Sequence, residues 1–133
     1  MTELAPGTFV LTEDKRRRFA GAVLGDPDAD PSVDALWIFT SGLHGMGMDL
    51  TEVFASVGCS MVDDGPMLGG IEFELTRPIE VGRTYIATGA ILGVERKTGR
   101  RTGAFDLMRM RVALSDDAGE AAAATTTYIL PVR

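Results

Sequence analysis

The sequence predicts an α+β domain in which one antiparallel β-sheet wraps around one central α-helix. Three observations lead there. The apolar residues of the first half recur at helical spacing, and those of the second half alternate. One helical stretch, Gly45 to Val57, is longer and more regular than its neighbours. The alternating half is divided by turn-forming residues into strands that follow one another as a meander. A helix with one apolar stripe and a sheet with one apolar face bury both surfaces when packed together. The chain of 133 residues contains no repeat, low-complexity tract or linker, so residues 1–133 are assigned to a single domain.

The elements follow in order. Gly7-Thr8-Phe9-Val10-Leu11 reads as a short strand. Thr12 caps a helix that carries Glu13 and Asp14 in its positively polarised first turn and runs to about Leu24. Phe19, Val23 and the stem of Arg16 share one face of it, and Gly25 ends it. Asp26-Pro27-Asp28-Ala29-Asp30-Pro31 is irregular, because prolines and Asx residues dominate it. Ser32 to Phe39 reads as another turn or two of helix. In the main helix Met46, Leu50, Val53, Phe54 and Val57 form one face, Asp49, Glu52 and Ser56 another, and Gly58 stops it. Ile71, Phe73 and Leu75 then alternate with Glu72, Glu74 and Thr76. After Arg77-Pro78 come a long strand from Thr84 to Glu95 and a hairpin turn at Lys97-Thr98-Gly99-Arg100. A strand from Ala104 to Leu114 places Met108, Met110, Val112 and Leu114 on one face. Asp116-Asp117-Ala118-Gly119 turns the chain into a last strand, Ala121 to Leu130.

Composition narrows the function. The net charge of −6 argues against a general nucleic-acid binder, which needs clustered positive charge. One basic cluster exists, Arg96-Lys97-Thr98-Gly99-Arg100-Arg101. A single cysteine, Cys59, excludes an internal disulfide, suits the cytoplasm, and reads as structural. Met1-Thr2-Glu3 is acidic with no apolar core behind it, so no signal peptide is expected. No apolar run is long enough to span a membrane. One His and one Cys do not make a usual zinc site, so no metal is expected.

The segment Thr12 to Ala35, reading TEDKRRRFAGAVLGDPDADPSVDA, is followed by Leu43-His44-Gly45-Met46. Together they resemble the catalytic segment of the MaoC-like (R)-hydratase/dehydratase family of the hotdog-fold superfamily. In that family a helix ends in Gly-Asp, a His follows shortly after, and the central helix opens with His-Gly-Met. Arg77-Pro78-Ile79-Glu80-Val81-Gly82-Arg83-Thr84 resembles the segment entering the family's long central strands, and Arg96 to Phe105 resembles its hairpin. The order of these motifs covers nearly the whole chain and implies a single hotdog domain.

The resemblance also implies chemistry. MaoC-like hydratases add water to, or remove it from, acyl-thioesters carried on CoA or acyl carrier protein, and need no other cofactor. An Asp and a His share the water as general acid and base, and main-chain N–H groups at the central-helix start hold the thioester oxygen. An enolate-like oxygen gathers negative charge, and unpaired N–H donors stabilise it. On this pattern Asp26 is the first catalytic candidate, its alternative reading being a turn-former. The family's His falls near Pro31 or Ser32, and neither titrates near neutral pH, as acid–base chemistry requires. Asp26, Ser32 and His44 are therefore the catalytic candidates. His44, the chain's only histidine, is either a relocated acid–base group or a helix-entry residue bonding a carbonyl. Gly45 and Met46 are the main-chain candidates for the oxyanion.

Other readings attach to other residues. Asp49 and Glu52 are alternative carboxylates, because some hotdog thioesterases use a carboxylate on this helix; otherwise both are solvated or lie at a subunit contact. Arg96, Lys97, Arg100 and Arg101 are candidates for carrier phosphates, or they decorate a solvated hairpin tip. The seven methionines, Met46, Met48, Met61, Met67, Met108 and Met110 among them, line an adaptable acyl tunnel or fill the core. The functional expectation is an acyl-thioester-binding protein, either a divergent hydratase/dehydratase or the substrate-binding subunit of one. The alternatives are a thioesterase and a non-catalytic acyl binder. The expected partners are a second copy or a catalytic hotdog subunit, since an unpaired sheet edge tends to be joined or covered. Neither nucleic acid nor membrane is expected.

Overall fold

The computed structural model describes residues 1–22, 46–101 and 103–132, without the side chains of residues 19–22. The described elements are β1 (Thr2–Glu3), β2 (Gly7–Val10), α1 (Glu13–Ala22), α2 (Leu50–Ser56), β3 (Met67–Leu75), β4 (Thr84–Gly99), β5 (Gly103–Asp116) and β6 (Gly119–Pro131). The six strands form one antiparallel sheet in the order β1-β4-β5-β6-β3, with β2 also on β4. The α+β layering expected from the sequence is present.

Thr12 caps α1 as expected: its Oγ1 accepts the Lys15 N–H at 3.1 Å. Pairs from Glu13 to Arg17 and from Asp14 to Arg18, each 3.0 Å, follow helical spacing and support the exposed face. The expected helix end at Leu24-Gly25, the irregular stretch 26–31 and the second helix from Ser32 to Phe39 lie outside the described residues.

The alternation in β5 sets the core. Met108, Met110, Val112 and Leu114 are all buried on the face toward α2. Their cross-strand partners on β6 are Tyr128, Thr126, Ala124 and Ala122, also buried. From β4 come Tyr85, Ala87 and Ile91. Val53 and Phe54 of α2 pack onto this floor, and the Phe54 ring meets Tyr128 edge-on, 5.0 Å between centroids. A helix of seven residues is too short to persist on propensity alone. Burial holds it, each of these two side chains contributing about 1.5–3 kcal/mol.

Three boundaries differ from the sequence expectation. β1 was not anticipated; two residues carry no readable alternation. β4 extends past Glu95 to Gly99, so the turn falls at Arg100-Arg101. A bulge between Ile91 and Gly93 also shifts the phase of the strand. Before it Ala87 and Ile91 face the core; after it Val94 opposes Met108 and Arg96 opposes Asp106. The central helix begins at Leu50 rather than Gly45. Met46–Met48 form a bend, and Asp49 is the N-cap, its side chain accepting the Glu52 N–H at 2.8 Å.

The crossover from β3 to β4 is held by charge. Arg77 donates Nη2 to Asp116 Oδ1 at 2.7 Å and Nη1 to Oδ2 at 3.1 Å, while Arg83 donates Nη1 to Oδ2 at 2.9 Å. Arg77 also reaches the Gly119 carbonyl at 2.8 Å. Hydrogen bonds from these two guanidiniums hold the Asp116 carboxyl well below the usual carboxylate range. The segment resembling the family's strand entry is thus pinned to the β5–β6 turn.

Candidate functional site

The sequence candidates divide by position. Asp26, Ser32, His44 and Gly45 lie outside the described residues. Met46 is half-buried and packs against both clusters of the core, Phe9/Leu11/Tyr85/Leu114 on one side and Val53/Phe54/Met108/Tyr128 on the other. Its neighbour Gly47 donates its N–H to the Ala5 carbonyl at 3.0 Å. The main chain at this bend therefore leads into α2 without being part of it.

Asp49 and Glu52 are both exposed. Asp49 is committed to capping the helix, a role that satisfies one of the unpaired N–H groups of the first turn. Glu52 sits in that turn and its carboxylate makes no ion pair among the described residues. The spacing Asp49-Leu50-Thr51-Glu52 is that of a capping box, a signal the sequence contained for the true helix start.

The basic hairpin separates into two pairs. Arg96 binds Asp106 at 2.6 Å and Lys97 binds Glu95 at 2.8 Å, so these two cations are matched by carboxylates. Arg100 and Arg101 are exposed at the turn and make no ion pair among the described residues. β6 ends opposite Phe105, so the hairpin tip stands clear of the rest of the sheet. Two guanidiniums on a protruding turn are suited to polyanionic groups such as phosphates.

Five of the methionines collect around α2. Met108 and Met110 are buried floor residues, and Met46, Met48 and Met61 pack against the same cluster with Leu50 and Val57. Met67 is exposed on β3. Cys59 is buried and donates its N–H to the Phe54 carbonyl at 3.0 Å. No group of three or more metal-ligating side chains occurs among the described residues. No described helix is long and apolar enough to cross a membrane.

Two depressions lie on the sheet face away from α2. One, about 310 Å³, is walled by Pro6, Thr88, Ala90, Leu92 and Arg111. The other, about 270 Å³, sits at the β4 bulge between Leu107, Arg109 and Thr127. Neither contains a candidate named from the sequence.

Residues that the sequence reading passed over meet at the α2 entry: Leu4, Ala5, Pro6, Gly47 and Gly89. A signal did exist for Gly89. A glycine inside a strand often marks close approach of another chain segment.

The architecture matches known structures along nearly the whole chain. The ChsH1-ChsH2 complex from Mycobacterium tuberculosis aligns with a TM-score of 0.62 at 13% identity, over 98% of this chain and 86% of that one. The C-terminally truncated HadBC (3R-hydroxyacyl-ACP dehydratase) complex from the same organism gives 0.58 at 23% identity, over 97% and 94%. A MaoC-like dehydratase from Phytophthora capsici gives 0.65 at 13% identity, over 97% of this chain and 47% of that one. No family model matches the sequence. No curated protein matches it either. The chain has the hotdog fold.

Proposed function

We propose that this chain binds acyl-thioesters, as a divergent enoyl-thioester hydratase or 3-hydroxyacyl-thioester dehydratase, or as the substrate-binding subunit of one. The observation that carries the reading is the hotdog fold over 97% of the chain shared with a dehydratase complex, together with Gly25-Asp26 and His44-Gly45-Met46 in the family's order. Asp26 holds the reacting water, His44 stands in for the missing His, and the Gly45-Met46 main chain receives the thioester oxygen. CoA or a carrier protein presents the acyl group, no further cofactor is used, and the protein works in the cytoplasm. Arg100 and Arg101 are the carrier-phosphate contacts, with Arg96 and Lys97 secondary because carboxylates already occupy them.

A partner subunit fits the open edge of the sheet. β3 is nine residues long, and among the described residues nothing pairs with its outer side. Met67, Leu68 and Leu75 are 56%, 51% and 48% exposed along it. Such an edge is a template for strand addition. The partner is a second copy or a second hotdog subunit that supplies the acid–base group.

Incubation of the purified chain with trans-2-enoyl-CoA tests the reading. Loss of the enoyl absorbance that disappears in Asp26→Ala supports the hydratase form. Binding without turnover supports the substrate-binding form, and neither binding nor turnover refutes both. The Glu52 carboxylate, exposed and without an ion pair among the described residues, favours one second reading, a thioesterase. Its signature is thiol release from acyl-CoA that Glu52→Ala abolishes and Asp49→Ala only weakens; no release from a broad acyl panel removes it.

A further inference from the structure

Three separated pieces of the chain meet where α2 begins. The N-terminal segment Leu4-Ala5-Pro6 lies between β1 and β2. On one side the Leu4 N–H donates to the Gly89 carbonyl of β4 at 2.8 Å. On the other the Ala5 carbonyl accepts the Gly47 N–H at 3.0 Å. The segment thus bridges the sheet and the α2 entry through its own main chain. Leu4 is buried beneath it, 8% exposed, in the cluster that also holds Val53 and Phe54.

Two glycines make this approach possible. A Cβ on Gly89 would run into the Met46 sulfur and lie 3.4 Å from Leu4 Cδ1. A Cβ on Gly47 would run into the Pro6 carbonyl and lie 3.3 Å from the Ala5 Cβ. The Gly47 collision is with main chain and is relieved only by moving the segment itself, whereas the Gly89 collision is with the end of the flexible Met46 side chain and needs only that side chain to move. Met46 in turn bridges the two core clusters, so its seat over Gly89 fixes the bend to the core as well as to the sheet.

We propose that Leu4–Pro6 is a strap that sets the position of the α2 entry, with Gly47 and Gly89 as its positioning residues. One consequence is direct. The Gly47 N–H is committed to Ala5, so it is not a donor to any ligand. The second consequence rests on the acyl-thioester reading. There the Met46 main chain receives the thioester oxygen, and the strap holds the adjoining Gly47 in place. A donor displaced by about 1 Å falls outside hydrogen-bond distance of its acceptor, and losing one such bond costs on the order of tenfold in affinity, so the strap controls affinity without touching the ligand.

The test measures two things on the same variants. Amide exchange of Gly47 and the Met46 methyl resonance report the strap; calorimetry with butyryl-CoA, which has no double bond to hydrate, reports the ligand. In the wild type the Gly47 amide is protected. In Gly47→Ala, whose Cβ meets the Pro6 carbonyl, exchange of the same amide rises at least about tenfold and butyryl-CoA affinity falls by about tenfold. In Gly89→Ala the Met46 methyl shifts. Leu4→Ala adds no bulk, so it keeps the test open if Gly47→Ala fails to fold; it raises Gly47 exchange and weakens butyryl-CoA in parallel.

A wild-type Gly47 amide exchanging at the free-peptide rate overturns the strap. So does unchanged protection of this amide in Gly47→Ala. A loosened strap with unchanged butyryl-CoA affinity overturns the positioning role, since a purely structural contact predicts that result. Absence of wild-type butyryl-CoA binding overturns the acyl-thioester reading and the ligand half of the inference with it, while the exchange data still decide the strap.

Discussion

Phe54→Ala is the perturbation whose cost follows most directly from the packing. Phe54 is 1% exposed, lies on a helix of seven residues, and is one of two fully buried side chains that tie that helix to the sheet. Truncating a buried Phe removes its transfer free energy and leaves a cavity, together about 3–5 kcal/mol. The edge-on contact with Tyr128, 5.0 Å and 88°, accounts for about 0.5–1.5 kcal/mol of that. Because α2 has no stability of its own, the surrounding floor of Met108, Met110 and Tyr128 has little to collapse onto, which places the cost toward the upper end. For a domain of this size the loss lowers the melting temperature by about 10–18 °C. Urea denaturation at fixed protein concentration, followed by circular dichroism, measures it, and a cycle with Tyr128→Leu isolates the ring–ring share. A loss under about 1 kcal/mol would refute the claim that burial at Val53 and Phe54 holds α2 on the sheet.

Three further outcomes follow from particular contacts. The Asp116 carboxyl titrates below its ordinary value of 3.8 in the folded chain. The unfolded chain therefore binds the proton first, and the stabilisation is complete above that value and is lost as pH falls through and below it. Denaturation midpoints across acid pH should decline less steeply in Asp116→Asn than in the wild type; parallel curves would remove the Arg77-Asp116-Arg83 cluster from the account. Charge reversal at Arg100 and Arg101 should weaken CoA binding more than Arg96→Ala and flatten its salt dependence, as isothermal titration at two ionic strengths will show; an equal effect of Arg96→Ala would contradict the division of the hairpin into carboxylate-paired cations and cations without an ion pair among the described residues. Leu68→Lys on the open edge of β3 should convert a dimer to a monomer by light scattering, and a wild type that is monomeric at micromolar concentration would contradict the edge as a subunit contact.

The strands were legible because their faces are chemically distinct. Met108, Met110, Val112 and Leu114 alternate with polar or small neighbours, and all four are buried as the pattern requires. Thr12 was legible as a cap because its hydroxyl acts locally. What escaped the sequence depends on partners distant along it. The phase of β4 after Leu92 is set by the register with β5, not by β4's own residues. The spacing of Met46, Leu50 and Val53 fits a continuous helix, yet Gly47 is drawn out to Ala5 and Asp49 caps at the next residue but one. Arg100-Arg101, without an ion pair among the described residues, could not be told from Arg96-Lys97 until Asp106 and Glu95 were placed beside the latter. The hydratase-like residues Asp26, Ser32, His44 and Gly45 rest on the sequence pattern, outside the described residues.

We propose Asp26 as the residue that holds the water in acyl-thioester hydration. The most direct measurement is the reaction of the purified chain with crotonyl-CoA, alone and as Asp26→Ala, with binding read on the same samples. The account predicts crotonyl-CoA binding in both proteins and hydration, where the wild type shows it, abolished in Asp26→Ala. Turnover that survives Asp26→Ala would contradict the assignment of Asp26, and a wild type that neither binds nor hydrates crotonyl-CoA would contradict the acyl-thioester function itself.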